Sequence, residues 1–190
     1  MKITLKTLTA ALLCAAMIFS LCACGEKKEE EVVITDALEL LGTVWGSYAD
    51  SDKFPAAGGD YNEDNMKTDE PGRFGVEDKE ALAYLLCVPE SGAELIDDAA
   101  SLTHMMNTNT FTAGAFRCTD GANTAKLAEL IKTELENRHW MCGFPDKFVI
   151  WSVGSYVVSA YGKNEPISTF MTKLTEAYPT AELLYEQAIR

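Results

Sequence analysis

Phe148-Val149-Ile150-Trp151-Ser152-Val153-Gly154-Ser155-Tyr156-Val157-Val158-Ser159-Ala160-Tyr161 is the stretch that decides the fold. Its two halves are rich in β-branched and aromatic residues, which are typical of strands. Gly154-Ser155 between them is a two-residue connection that begins with glycine, as hairpin turns often do. The sequence therefore predicts a hairpin of two strands, Phe148 to Val153 and Tyr156 to Tyr161.

The chain before this hairpin adds a strand and a helix. Thr110 to Thr119 is rich in Phe, Thr and small residues, which predicts a strand with Gly114 as the site of a bulge. Asn123 or Thr124 begins a helix, and its inner face comprises Leu127, Leu130, Ile131 and Leu135. A strand-helix-strand crossover is nearly always right-handed when the strands lie parallel in one sheet.

The chain after the hairpin reads as two helices. Asn164 and Pro166 begin the first, whose inward residues are Ile167, Phe170, Leu174 and Tyr178. Pro179-Thr180 ends it, and a last short helix carries Leu183 and Leu184.

Helical patterns dominate the N-terminal half. A first helix begins at Thr35 or Asp36, and a second runs from Val76 until Pro89. Residues 50–75, between the two, contain prolines, paired glycines and seven acidic residues, which predicts a long loop. Ser91 and Glu94 form a capping box before a third helix. The apolar stripes are Leu38, Leu41, Trp45 and Tyr48 in the first helix, Leu82, Leu85 and Leu86 in the second, and Leu95, Ala99, Leu102 and Met106 in the third.

The predicted fold is α+β. N-terminal helices are followed by a β-α-β-β-α order, and we expect a small mixed sheet with helices mainly on one face. A partner would then meet the other sheet face or the long acidic loop.

The N-terminus carries an export signal. Lys2 and Lys6 precede an apolar core, which ends in Leu21-Cys22-Ala23-Cys24, the pattern that bacterial lipoprotein signal peptidase reads. The core is too short for a comfortable transmembrane helix, which needs about 20 apolar residues. An ordinary secretory signal or an uncleaved anchor helix are the alternatives.

The lipoprotein interpretation sets the domain organisation. Residues 1–23 are a lipoprotein signal peptide, residues 24–32 a charged tether, and residues 33–190 a single α+β domain. Cys24 would carry thioether-linked diacylglycerol, with palmitate among its acyl chains, and two chains are enough for stable anchoring. We therefore expect a lipid-anchored protein on the extracytoplasmic face of the cell membrane.

The charge of the chain restricts its partners. The net charge is −13, and removal of Lys2 and Lys6 leaves 14 basic against 29 acidic residues, which is −15. Such a balance argues against nucleic acid and an anionic membrane surface as partners. An unknown envelope protein or a small ligand remains as the expected partner, and we predict no cofactor.

Three segments resemble a known group of proteins. Leu102-Thr103-His104-Met105-Met106-Asn107-Thr108-Asn109-Thr110-Phe111-Thr112, Trp140-Met141-Cys142-Gly143-Phe144-Pro145-Asp146-Lys147 and the ending Tyr178-Pro179…Leu184-Tyr185 are the segments concerned. They are similar to a family of small lipoproteins of Gram-positive anaerobes that carries a domain of unknown function. The resemblance implies extracytoplasmic anchoring through Cys24, and it implies no activity, cofactor or catalytic residue.

Candidate catalytic residues are few. The sequence contains no G-x-S-x-G elbow, P-loop, dinucleotide fingerprint or H-E-x-x-H motif, and only His104 and His139 are histidines. Cys142 with His139 predicts a thiol-dependent enzyme or redox module as the alternative function. Because a redox turn needs a second cysteine and position 145 is proline, we favour a buried connection in which Trp140 and Phe144 cap the core.

Metal binding is a second alternative. The residues His104, Met105, Met106, His139, Met141 and Cys142 offer soft ligands, although zinc spacing is absent. Asp60 to Asp64 matches the beginning of an EF-hand loop, but Asn65 and Pro71 stand where glycine and glutamate belong. A looser calcium site would use Asp60, Asn62, Asp64 and Glu70.

The remaining polar and thiol groups favour structural roles. Asn107, Thr108, Asn109 and Thr110 either bind a ligand or satisfy turn amides, and we favour the second. Cys87, Cys118 and Cys142 remain in the domain, so at most one internal disulfide can form and the spacing leaves its pair open. The sequence thus predicts a membrane-anchored lipoprotein of unknown activity, more a binding or accessory domain of the cell envelope than an enzyme.

Overall fold

The predicted hairpin forms two inner strands of an eight-stranded sheet. The structure is a computed structural model that describes residues 33–60, 62–141 and 143–189. Its strands are β1 (Ala56–Gly58), β2 (Lys67–Thr68), β3 (Gly72–Arg73), β4 (Ile96–His104), β5 (Phe111–Cys118), β6 (Lys147–Val153), β7 (Tyr156–Gly162) and β8 (Glu182–Ala188). Its helices are α1 (Ala37–Gly46), α2 (Lys79–Leu86), α3 (Glu90–Ala93), α4 (Thr124–Asn137) and α5 (Asn164–Ala177), with a 3₁₀ turn at Gly121–Asn123.

The strand order is β2-β1-β4-β5-β7-β6-β8, and β3 also pairs with β4. Every paired strand is antiparallel to its neighbour. Because β7 lies between β5 and β6 and is antiparallel to both, β5 and β6 run parallel to each other. The predicted crossover from β5 through α4 to β6 is therefore present, and strand β7 of the hairpin lies between β5 and β6.

The structure confirms the α+β class and corrects two of its details. The sheet is antiparallel throughout rather than mixed, since β7 separates the two parallel strands. Helices cover both faces rather than mainly one, because the central strands alternate apolar side chains to both sides. No open sheet face is thus left in the middle of the sheet for a partner.

One face of the sheet packs against α1 and α5, and the other packs against α2, α3 and α4. Large side chains of the first core are Leu40, Leu41, Trp45, Phe111, Trp151, Ile167, Phe170 and Leu174. Those of the second are Leu82, Leu86, Phe116, Leu127, Ile131, Leu135, Phe148, Ile150 and Tyr161. This two-sided burial explains why the hairpin strands read as continuous apolar runs.

Local signals placed most helices correctly. Of the two predicted helix starts, Thr35 and Asp36, the structure selects Asp36, whose side chain accepts a hydrogen bond from the Glu39 amide and caps α1. Helix α2 ends at Leu86, and Cys87 follows it in the left-handed region with φ 57°. Helix α4 buries the predicted face except Leu130, which is half-buried beside a buried Ala128.

The third predicted helix is wrong. Its middle, Ile96–His104, is strand β4, and only the short α3 lies at the predicted capping box. Ala99, Ala100, Ser101 and Leu102 are all buried, because β4 is covered on both faces. A strand buried on both sides does not alternate in polarity, so its apolar residues matched a helical spacing by coincidence.

Two other segments also became strands. The predicted last helix is edge strand β8, which pairs with β6 so that Leu183 lies opposite Trp151. The predicted loop of residues 50–75 contains β1, β2 and β3, of which β1 and β3 add to the edge of β4. Neither segment has a local sequence pattern that is typical of a strand, because hydrogen bonds to partner strands stabilise these strands.

The hairpin turn is confirmed, but the predicted bulge at Gly114 is wrong. Gly154 has φ 57° and stands first in the two-residue loop, a position that favours glycine. Strand β5 continues past Gly114 without a register shift. The irregularity lies on the other side of that pair, between Ile96 and Asp98 of β4.

Residues 34–190 form one compact unit, and every residue of both cores lies within it. The predicted signal peptide, Cys24 and the tether at 24–32 lie outside the described residues, as does Cys142. In the part of the chain that is described, no helix combines the length and apolar character that crossing a bilayer requires.

Candidate functional site

Three loops meet at one end of the sheet, where β4 and β7 end and β5 and β6 begin. We call these loops, residues 104–110, 138–146 and 162–164, the tip. The antiparallel order of the strands brings the loops together, although they are distant in sequence.

Asn109 joins two of the tip loops. Its side-chain amide donates to the carbonyl oxygens of Met141 at 2.8 Å and Gly143 at 2.9 Å. The backbone N–H of Asn109 donates to the Asn107 Oδ1 at 2.9 Å. The polar run at 107–110 therefore serves the turn and its neighbour, as the sequence favoured.

A second set of bonds holds the 138–146 loop from the other side. The Lys163 ammonium donates to the Phe144 carbonyl at 2.7 Å and to the Asp146 carboxylate at 3.0 Å. Asp146 also accepts from the Asn164 amide at 2.9 Å. The hydrogen bond from the Asn164 amide is the main cause that holds the pKa of Asp146 below its usual value, and the hydrogen bond from Lys163 is the second cause. The carboxylate is thus charged at neutral pH and fixes the loop.

This bonded tip exposes four large apolar side chains. The exposed fraction is 46% for Met105, 79% for Met106, 76% for Met141 and 62% for Phe144. Phe144 was expected to cap the core and does not, whereas Trp140 packs partly against it, with its ring 5.0 Å from that of Tyr161. Large exposed apolar patches are typical of interaction surfaces, and methionine adapts to many partners, so these four side chains are the candidate for such a surface.

His104 lies beside the tip and lines a cavity of about 260 Å³. The cavity is bounded by Ser51, Asp52, Phe54, His104, Thr110, Glu165, Pro166 and Thr169. The imidazole stacks on Phe54 with ring centroids 5.3 Å apart, and its Nδ1 accepts from the Met106 amide at 3.2 Å. Ser51 donates to Asp52 rather than to the imidazole. The imidazole of His104 thus contacts Phe54 and the Met106 amide, and Ser51 does not pair with it as a nucleophile would.

The other candidates of the thiol hypothesis are divided. His139 is exposed in the 138–146 loop, outside the cavity that His104 lines. Cys142 lies outside the described residues. Cys87 and Cys118 are buried free thiols of the second core, and burial raises the pKa of each to about 11. Those two thiols are thus protonated and unreactive at neutral pH.

The proposed calcium ligands are brought together in part. Asp60 and Asn62 line an acidic cavity of about 290 Å³ with Asn65, Gly75, Glu77, Asp78 and Ala81, whereas Asp64 and Glu70 do not line it. Both Asp60 oxygens accept hydrogen bonds within the loop, among them one of 2.7 Å from the Gly75 amide. Burial raises the pKa of Asp60, but these bonds outweigh it and hold the pKa below its usual value.

No cluster of three or more His, Cys, Asp or Glu in the described part of the chain could hold a metal ion. The predicted soft-metal set places His104 and His139 on different loops of the tip, and its methionines point to solvent.

Sequence reasoning missed one residue of this region, Arg138. It follows the last residue of α4, and its guanidinium lies over the rings of Tyr84, Trp140 and Tyr161. An arginine at a helix end has many uses, so nothing in the local sequence singled it out. Comparisons of the chain with protein-family models, curated proteins and solved structures find no match.

Proposed function

We propose that this protein is a membrane-anchored extracytoplasmic lipoprotein of the cell envelope, whose domain binds an envelope protein through the tip. Lipid on Cys24 would hold it at the membrane. The observation that carries the proposal is the set of four exposed apolar side chains on a hydrogen-bonded framework. The resemblance to small Gram-positive lipoproteins favours the same location.

The position of the tip supports a partner away from the membrane. The domain begins at the other end of the sheet, where the Ile34 carbonyl accepts from the Tyr156 hydroxyl and the Thr35 carbonyl accepts from Arg117. The eight residues of β5 separate the two ends by about 25 Å, at a rise near 3.3 Å per residue. The tip is thus the far end of the domain from its point of attachment.

The length of the predicted tether leads to the same conclusion. Nine residues, 24–32, span at most about 30 Å when fully extended. Only a nearly straight tether running along the domain would bring the tip to the lipid surface. The proposal therefore commits to a protein partner rather than to the bilayer.

Charge favours a protein partner as well. Of the 29 acidic residues of the chain, only Asp146 belongs to the tip, which also holds Arg138, Lys163 and both histidines. The tip is close to neutral on a strongly acidic protein. The four exposed apolar side chains of the tip are themselves uncharged, and such a group matches the apolar centre of a protein interface, from which charged residues are depleted.

The test is site-specific photo-crosslinking in cells that carry the full chain in its membrane. A crosslinker at Met141 is expected to capture one envelope protein, while a crosslinker at exposed Lys126, at the start of α4, captures none. The captured protein is then purified and its affinity for the full chain in nanodiscs is measured. Replacement of Met106, Met141 and Phe144 by serine is expected to weaken binding by about tenfold or more, since such anchors dominate interfaces.

A matched control separates the tip from exposed methionine in general. Met66→Ser removes a methionine that is 55% exposed outside the tip, and it should leave the affinity unchanged. Equal affinity of the triple variant and the wild type would overturn the proposal. The proposal would also be overturned if the triple variant lost binding to lipid vesicles but still bound the protein partner. Turnover of cell-wall or peptide substrates by the wild type would overturn it as well.

A further inference from the structure

The tip loop 138–146 also carries a feature on the α4 side of the sheet, which involves Arg138 and Trp140 but none of the four exposed apolar side chains. Arg138 is held there in a cage of aromatic rings. Its guanidinium carbon lies 5.8 Å from the ring centroid of Tyr84, 5.1 Å from that of Trp140 and 5.8 Å from that of Tyr161. One terminal nitrogen donates to the Cys87 sulfur at 2.8 Å, and the other donates to the Tyr84 carbonyl at 2.8 Å. The cation is therefore fixed in one orientation.

No described residue supplies a carboxylate partner for this guanidinium. Among the described residues, Arg73 and Arg117 each pair with aspartate, whereas no carboxylate lies within 4.0 Å of Arg138. Its thiol partner does not neutralise it either, because burial raises the pKa of Cys87 to about 11 despite the nearby arginine. A guanidinium has five N–H donors, and the described residues accept from two of its nitrogens.

Arg138 also lines a cleft in the described part of the chain. The cleft has a volume of about 400 Å³ and is lined by Leu135, Glu136, Arg138, Trp140, Phe148, Gln187, Ala188 and Ile189. Leucine, isoleucine and two aromatic rings form apolar walls around the arginine. A volume of this size and a few convergent polar groups are typical of small-ligand sites.

We propose that this cleft binds a carboxylate attached to an apolar body, with the carboxylate on Arg138 and the body against Trp140 and Phe148. A guanidinium presents its donors as a planar fork that matches a carboxylate. The ligand is a small organic acid or the C-terminus of a peptide, since both offer this chemistry.

The lining argues against a phosphate. A dianion needs more than one cation, and Arg138 is the only basic residue of the lining. Glu136 is also part of the lining, and its charge is only partly offset by Lys132 at 3.3 Å. A monoanion is repelled less by Glu136 than a dianion is.

The experiment uses the chain from residue 24 with Cys24→Ser, which contains every residue of both cores. Two probe pairs are titrated by calorimetry: 4-phenylbutyrate with its amide, and a short apolar peptide with a free or an amidated C-terminus. Each acid is expected to bind about tenfold more tightly than its amide, because the charged hydrogen bonds are lost. Tighter binding of 4-phenylbutyrate identifies a small acid, and tighter binding of the peptide acid identifies a C-terminus.

Three variants test the roles of the residues. Arg138→Gln is expected to weaken the acids about tenfold and leave the amides unchanged, whereas Glu136→Gln should strengthen the acids about twofold. Arg117→Gln is the matched control at the other end of the sheet and should change neither. If Arg138→Gln fails to fold by near-ultraviolet circular dichroism, Glu136→Gln and the acid–amide pairs decide.

Two results would overturn the proposal. One is equal affinity of acid and amide, and the other is no saturable binding of any probe at millimolar concentration. Either result would leave the tip proposal standing, because the crosslinking test uses other side chains and another partner.

Discussion

The two ends of the sheet are built in opposite ways. At the end where the domain begins, which we call the entry end, charged side chains are paired: Arg73 contacts Asp36 at 2.6 Å and Asp98 at 3.5 Å, and Arg117 contacts Asp97 at 2.7 Å. At the tip, the loops are joined mainly through backbone carbonyls and expose methionine and phenylalanine.

The difference separates two tasks. Charges at the entry end tie the start of α1 to β4, as when the Ala37 amide donates to Asp98 at 2.6 Å. Polar groups at the tip fix the shape of the loops and leave the apolar side chains unpaired. Exposed apolar area adds nothing to the stability of the isolated domain, and we proposed the tip as a binding surface for that reason.

The largest expected effect tests whether the tip rests on rigid packing. A Cβ added at Gly162 would lie 2.3 Å from the Thr110 carbonyl oxygen and 2.9 Å from the Phe111 Cα. Because both neighbours are backbone, Gly162→Ala should lower the free energy of unfolding by about 3 kcal/mol. Urea denaturation measures it. A loss as small as that of Gly46→Ala, where the space is open, would mean that the tip is loosely packed.

The next effect tests the entry end. Asp98→Ala leaves the Ala37 amide without its acceptor, removes the longer of the two carboxylate contacts of Arg73 and should cost about 2 kcal/mol. Its neighbour is a matched control, because the side chain of Asp97 is 48% exposed against 13% for Asp98. Asp97→Ala removes only a surface pair and should cost less than about 1 kcal/mol. Equal losses in urea denaturation would refute the special role of Asp98.

Acid should weaken both ends through one carboxylate each. The hydrogen bond from the Glu39 amide is the main cause that holds the pKa of Asp36 below its ordinary value, and Arg73 adds to it while burial opposes it. Such a group stabilises the fold above its unfolded pKa, and the stability is lost as the pH falls through the lower folded pKa. Asp36→Asn keeps a capping oxygen, so it should flatten the fall in stability below about pH 4. Asp146→Asn should do the same at the tip, and an unchanged acid profile in both variants would contradict this account.

The smallest effect on stability is expected at the exposed apolar side chains. Met106→Ser, Met141→Ser and Phe144→Ser should each change the free energy of unfolding by no more than about 0.5 kcal/mol. Thermal unfolding, followed by circular dichroism, provides the measurement. A loss of more than about 2 kcal/mol in any of them would assign that side chain to the core and not to a binding surface.

Much of the fold could be predicted because it is encoded locally. The cap at Asp36, the glycine-first turn at Gly154 and the apolar faces of α1, α4 and α5 depend on neighbours within a few residues. Strand β4 was mistaken for a helix because burial on both faces erased its alternation. Strand β8 was missed because its place depends on β6.

The candidate site was predictable only in its parts. Asn109, Met141 and the methionines of the 104–110 loop stood out in the sequence, but their union depends on hydrogen bonds that span more than thirty residues. Arg138 did not stand out at all. Its cage combines Tyr84 and Cys87 from the end of α2 with Trp140 and Tyr161.

The sequence by itself determined the acidic charge, the α+β class, the central hairpin and the expectation of lipid on Cys24. Only the tertiary structure decided the antiparallel order of the sheet, the helices on both of its faces, the different make-up of the entry end and the tip, and the aromatic surroundings of Arg138. The physical reason is the distance along the sequence over which each interaction acts. Turn chemistry and helix periodicity act between residues a few positions apart, whereas strand pairing and the surroundings of a charge depend on residues that only the folded chain brings together.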